Sequence, residues 1–200
     1  MRKNPVKKKL KTGQAVAGVF CNIPSPASVE MLGMMGYDFV IIDAEHGPMD
    51  VEACEHMVRA ADASGIVPLV RVAVNLPQNI LRYLDAGALG VQIPMVNTRE
   101  EAERVVASTK YPPQGRRGLA ATRAAGYGAG IGLSEYVTMA NEETLVIVQA
   151  ETREALVNLE EIASVDMVDM VFLGPTDLSA ALGYPGQATH PEVLAAIEEA

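Results

Sequence analysis

Two acids stand at the ends of consecutive apolar runs. Glu151 follows LVIVQA and Asp177 follows VFLGPT, so neighbouring strands would deliver both carboxylates to one rim. A pair of hard oxygen ligands, with neither cysteine nor paired histidines nearby, suits Mg²⁺ or Mn²⁺ and leaves the remaining positions to water and substrate. Gln149 shares the strand end with Glu151. The competing reading makes both acids helix first-turn residues, stabilised by backbone N–H groups and the helix dipole. The two together, with Gln149 beside them, favour the metal.

His46 lies in DAEHGP, between the apolar run FVIID and a turn made by Gly47 and Pro48. That places an imidazole at a strand end, where it is a natural general acid or base near neutral pH. Asp43 and Asp85 are candidates to orient it or raise its basicity; a loop histidine that only hydrogen-bonds is the alternative. Arg71 ends VPLVR, where a guanidinium faces either a developing oxyanion or a rim carboxylate. Arg116, Arg117 and Arg123 would reach the distal carboxylate of a larger substrate, a solvated loop being the simpler account. His56, inside a helical pattern, and His190, before Pro191, read as surface residues.

Other chemistries are excluded by what is missing. After Lys11 the chain has one lysine, Lys110, placed beyond a helix and not at a strand end. Schiff-base and pyridoxal phosphate catalysis need a lysine inside the site. No Walker-type phosphate loop occurs, and neither Cys21 nor Cys54 has a histidine placed to activate it. What remains is metal with acid–base chemistry.

These groups need elements to hold them. From residue 15 onward, short apolar runs alternate with helically spaced segments: strands over 15–20, 38–43, 67–71, 88–93, 145–149 and 170–173, and helices over 27–35, 51–63, 78–85, 99–109 and 153–163. The runs are apolar throughout, as in parallel strands buried on both faces. Glycines 36, 65, 87 and 183 follow helical segments, where a left-handed cap is wanted. The stretch 111–143, rich in Gly and Pro and without a strand, reads as an excursion over the active face. Its glycines follow no strand, so they signal loop flexibility and not a dinucleotide cradle.

Such units close into a barrel or spread into an open doubly wound sheet. Here Asp43 to His46, Arg71, Gln149 to Glu151, and Gly174 to Asp177 all fall at strand ends, and only a barrel converges so many ends on one mouth. The expectation is a TIM-type (β/α)8 barrel over 13–200, truncated after about six βα units, behind a solvated basic extension over 1–12. Missing units would leave apolar edges open.

The formal charge is −9, yet six of the 16 basic residues lie before residue 12. Ten basic against 25 acidic residues leave a body of about −15, and with no Trp and 4% aromatics it offers no surface for nucleic acid. No apolar run approaches the ~20 residues of a membrane helix. Two cysteines make no disulfide framework, so the expected location is cytoplasmic.

With these residues set out, the sequence resembles the HpcH/HpaI family of class II pyruvate aldolases, which includes 4-hydroxy-2-oxoheptane-1,7-dioate aldolase and 2-keto-3-deoxy sugar-acid aldolases. The likeness rests on FVIIDAEHGP, VPLVRV, LDAGALGVQIPMVNT, YPPQGRRG, VQAETREALVNLEEI and VFLGPTDLSAALG. It implies a divalent ion, Mg²⁺, Mn²⁺ or Co²⁺, held by Glu151 and Asp177 and chelated by a ketoacid substrate. Gln149, Gly174, Pro175, Thr176 and Asp177 would contact that substrate. Arg71 would add positive charge at the enolate oxygen, and His46, made more basic by Asp85, would manage the proton. The implied reaction cleaves a 4-hydroxy-2-ketoacid to pyruvate and an aldehyde. The resemblance also implies a homo-oligomer, hexamer or trimer. Two rival readings are an acyl-CoA lyase of the citramalyl- or malyl-CoA type and an inert ketoacid-binding barrel.

Overall fold

A computed structural model describes residues 2–200. Six parallel strands pair in strict chain order: β1 Gly18–Cys21, β2 Phe39–Asp43, β3 Val67–Arg71, β4 Gly90–Ile93, β5 Leu145–Ala150 and β6 Met170–Leu173. The helices are α1 Pro5–Lys11, α2 Pro26–Met34, α3 Val51–Ser64, α4 Pro77–Asp85, α5 Arg99–Thr109, α6 Leu133–Glu143, α7 Arg153–Val157, α8 Leu159–Ala163, α9 Pro175–Ala181 and α10 Pro191–Glu199. The sheet curls until Phe20 on β1 meets Phe172 on β6 edge-to-face, with ring centroids 5.6 Å apart.

Period-two alternation assigns each strand residue to one of two apolar layers. Val40, Ile42, Val70, Val91, Val146 and Val148 face the surrounding helices. Ile41, Leu69 and Ile147 face the concave side with Val6 and Leu10 of α1. Both faces are covered, which is why β3, β4 and β5 are buried along their whole length.

The solvated basic arm expected over 1–12 is corrected by this packing. Asn4 caps α1, its side chain accepting from Val6 N and Lys7 N at 3.1 and 3.2 Å and donating to Leu89 O at 3.1 Å. Val6 is 1% exposed. The basic side chains find acids on the barrel: Lys7 pairs with Asp169, Lys9 with Asp38 and Arg2 with Asp62. Charge spacing hid this amphipathic turn, because four lysines surround two apolar positions.

Two further expectations change. The single helix over 153–163 breaks at Asn158, whose side-chain amide donates to Asn97 O at 2.8 Å. The stretch 111–143 does not cover the mouth. It leaves the end of α5 and returns to the start of β5, so it packs at the opposite end, carrying a 3-10 turn over Arg123–Gly128 and α6. Tyr111, Ala124, Ala125, Tyr136 and Ala140 give it a small core of its own.

Lys110 is buried there at 1% exposure, donating to Asn141 O at 2.8 Å and Thr144 O at 2.7 Å. Burial, aided by Lys7, lowers its ammonium pKa to about 7. An unfolded lysine keeps its proton to about pH 10.4, so between these values the unfolded chain binds more protons and stability rises with pH. The denaturant midpoint is expected to climb between pH 7 and 8.5, and the climb to disappear in Lys110→Met. Equal pH slopes for the two proteins would refute the assignment.

Candidate active site

Strand register brings the polar ends together. Asp43 lies opposite Arg71, and Arg71 opposite Gln92, at the C-terminal edge. Asp43 and Arg71 form a buried two-point ion pair, Nε to Oδ1 at 2.9 Å and Nη2 to Oδ2 at 2.6 Å. Burial alone would raise the Asp43 carboxyl, but Arg71 and the backbone N–H groups of His46 and Glu45 hold it below the usual range. Asp43 therefore orients the arginine. It meets His46 only through the backbone, at 3.2 Å, so the expected contact with the imidazole is corrected.

The carboxylate beside that imidazole is Glu45, Oε2 lying 4.0 Å from His46 Nε2 and 3.3 Å from Arg71 Nε. Burial raises the Glu45 carboxyl, although Arg71 and His46 draw it down. The His46 side chain is 60% exposed at the rim. Sequence reading passed over Glu45 although it adjoins His46, because a loop acid carries no periodic signal.

Glu151 is 3% exposed. Its Oε1 accepts from Met95 N at 2.9 Å and its Oε2 from Gln149 Nε2 at 2.5 Å. Gln149 is in turn gripped by Gln92, buried on β4, at 2.5 Å. Gln92 was the other missed residue, and a lone amide inside the apolar run ALGVQI was the available signal. Met95 takes φ 54°, a left-handed conformation unusual outside glycine, and this turns its N–H toward Glu151. Gly174 follows β6 beside Glu151; a Cβ there would lie 2.9 Å from Glu151 Oε2, so a side chain at this position would displace the carboxylate.

A cavity of about 160 Å³ opens over this edge, lined by Phe20, Arg71, Gln149, Gly174, Thr176 and Asp177. Pro175 joins the same wall, and Asp177 is exposed. Arg71 also stacks its guanidinium 4.8 Å from the Phe20 ring centroid.

Asp85 is the sequence-predicted residue that the chain does not bring here. It ends α4, a helix of nine residues that runs away from the mouth for roughly 13 Å. Its partner is Arg117, Nη2 to Oδ1 at 2.7 Å. The expected contact with His46 is corrected within the chain.

The donor set fits a divalent cation. Glu151 is buried against neutral donors, with no Lys, Arg or His ion pair among the described residues. Arg71 acts on it only at longer range, and a buried carboxylate outside any direct ion pair is costly, a cost that a bound cation offsets. No cluster of three or more His, Cys, Asp or Glu forms among the described residues, so Glu151 and Asp177 would leave positions for substrate oxygens and water.

The profile of the HpcH/HpaI aldolase/citrate lyase family matches residues 16–200. The chain belongs to this family. Over 198 residues it is 43% identical to a pyruvate aldolase of Rhizobium etli, covering 98% of this chain and 77% of that protein. A 5-keto-4-deoxy-D-glucarate aldolase of Shigella boydii is 39% identical over 196 residues, 98% of this chain and 75% of its own. Among solved structures, an HpcH/HpaI aldolase/citrate lyase family protein from Burkholderia cenocepacia superposes with a TM-score of 0.91 at 35% identity, covering 98% of this chain and 78% of that one. HpcH/HpaI membership carries a reaction class, that of a class II aldolase, a carbon–carbon lyase.

Proposed function

We propose that this chain cleaves a 4-hydroxy-2-ketoacid to pyruvate and an aldehyde at the mouth formed by β2, β3, β5 and β6. The observation that carries the reading is buried Glu151, held by Met95 and Gln149, in no direct ion pair and next to the Asp43–Arg71 pair. Glu151 and Asp177 would hold a divalent ion, Mg²⁺, Mn²⁺ or Co²⁺, which when bound supplies Lewis-acid stabilisation of charge on the keto oxygen.

The chain's own groups do the rest. Arg71, fixed in direction by Asp43, presents positive charge to the same oxygen. His46, beside Glu45, takes the proton from the 4-hydroxyl as the bond between carbons 3 and 4 breaks. The hydroxyl-bearing carbon leaves as the aldehyde, the bond's electron pair passes into the pyruvate enolate, and a proton returns to carbon 3. Gly174, Pro175 and Thr176 wall the ketoacid, and Gln149 keeps Glu151 aimed at it. The concave curl of six strands supports reading them as part of a TIM-type (β/α)8 barrel. Exposed Met31, Met34 and Met35 on and beside α2 support a homo-oligomer, and two buried free thiols are in keeping with a reducing, cytoplasmic setting.

The test is pyruvate release from a 4-hydroxy-2-ketoacid by metal-stripped protein, before and after adding Mn²⁺ or Mg²⁺. Turnover is expected only after addition. Folded protein that stays silent with every ion would remove the aldolase assignment from this mouth.

A further inference from the structure

A cluster of arginines lies at the other end of the molecule. A cavity of about 430 Å³ is lined there by Arg2 from the N-terminal arm, Arg59 and Asp62 from α3, and Arg117, Arg123 and Tyr127 from the 111–143 segment. Four guanidiniums around one cavity are unexpected in a chain whose formal charge is −9. Asp62 is the lining acid, pairing with Arg2 at 3.0 Å and Arg123 at 2.5 Å. Asp85 and Glu55, bound to Arg117 and Arg59, reduce the positive excess without removing it.

Arg117 contributes a buried and incompletely satisfied guanidinium to the lining. Its side chain is 2% exposed, its guanidinium lies 4.6 Å from the Tyr111 ring centroid, and its Nε has no hydrogen-bond partner among the described residues. Asp85 offsets the charge of Arg117 but not this donor, so an anion in the cavity would join a site that is one hydrogen bond short. Arg2 and Arg123 are held in place by backbone carbonyls, Arg2 by Ile66 O and Arg123 by Ala86 O, the latter at 3.1 Å. Their remaining donors are thereby preorganised, and forked donors from several directions match the oxygens of phosphates and carboxylates.

We propose that this cavity binds a small multivalent oxyanion, a phosphate-bearing or polycarboxylate metabolite, as a site separate from the mouth. The volume falls in the range of metabolite pockets. Its walls come from the N-terminal arm, α3 and the 111–143 segment, so an occupant cross-links three pieces of chain at the base of the sheet. Binding to the folded state alone then stabilises the protein in proportion to ligand concentration.

The experiment titrates metal-stripped protein by calorimetry with inorganic pyrophosphate and, separately, with citrate at fixed ionic strength, and follows the melting temperature. The parent is expected to bind one ion per chain and to melt higher. Arg59→Gln combined with Arg117→Lys should weaken binding at least about tenfold, since forked contacts are lost while the Asp85 pair keeps a cation. Arg59 is half-exposed, and circular dichroism of the ligand-free variant checks that it folds. Preference for pyrophosphate assigns organic phosphates, and preference for citrate assigns polycarboxylates. Undiminished affinity in the double variant, binding abolished by Glu151→Gln instead, or no binding of either ion at millimolar concentration would each overturn the proposal.

Discussion

Glu151→Gln is expected to lower pyruvate release by about 10³-fold while leaving the metal-free protein at least as stable as the parent. The activity loss follows from removing a carboxylate from a site with only Glu151 and Asp177 as hard ligands; a lost Lewis acid costs several kcal/mol of transition-state stabilisation, and ~4 kcal/mol is that factor. The stability outcome is the more discriminating half. Glu151 is buried at 3% exposure among neutral donors; glutamine keeps its size and its acceptor for Met95 N, a flip of the Gln149 and Gln92 amides accepts its new N–H in place of the Gln149 donor, and a buried charge outside any direct ion pair is discarded. Mn²⁺ should raise the melting temperature of the parent and leave the variant's unchanged. A variant that melts well below the parent without metal would make Glu151 a structural residue, and one that still gains stability from Mn²⁺ would place the ion elsewhere.

The second large effect separates the chemistry of Arg71 from its packing. Arg71→Met should cost roughly 3–5 kcal/mol of stability, because Asp43, 4% exposed, is left as a buried carboxylate without its cation. Its activity should fall by about 10²- to 10³-fold, the usual loss on removing a donor at a developing oxyanion. Adding Asp43→Asn removes the stranded charge, so the double variant should recover most of the stability and none of the activity. Recovery of turnover with stability would mean that Arg71 serves the fold alone.

The same pair predicts a pH dependence. Asp43 has its folded-state pKa depressed below the unfolded value, near 3.9 for an aspartate. Its contribution is present above that value and is lost as pH falls through the lower, folded one. Acid unfolding of the parent should therefore show a stabilising component that Arg71→Met lacks.

Much of the architecture was legible in the residues. Short uninterrupted apolar runs bounded by turn residues fit parallel strands, and β3, buried throughout, and β6, half-buried, fall where that pattern places them. The polar residues closing those runs mark the mouth, because the C-terminal ends of parallel strands lie on one edge. The placement of Asp43, Arg71, Gln149 and Glu151 at that edge was readable for that reason, as was the placement of Lys110 away from the strand ends. Which of them touch was not readable. Partners across the sheet depend on register and curl, and a shift of one residue would exchange every contact. Tertiary structure alone decided that Asp43 holds Arg71 while Glu45 adjoins His46, and that Gln92 steadies Gln149. It also carried Asp85 to the far end with Arg117, set the 111–143 segment beneath the sheet, and turned a basic arm into a helix that closes the base. Local spacing determines which face a side chain takes along its own strand or helix, whereas long-range neighbours are selected by how the elements pack, and the site's chemistry rests on those neighbours.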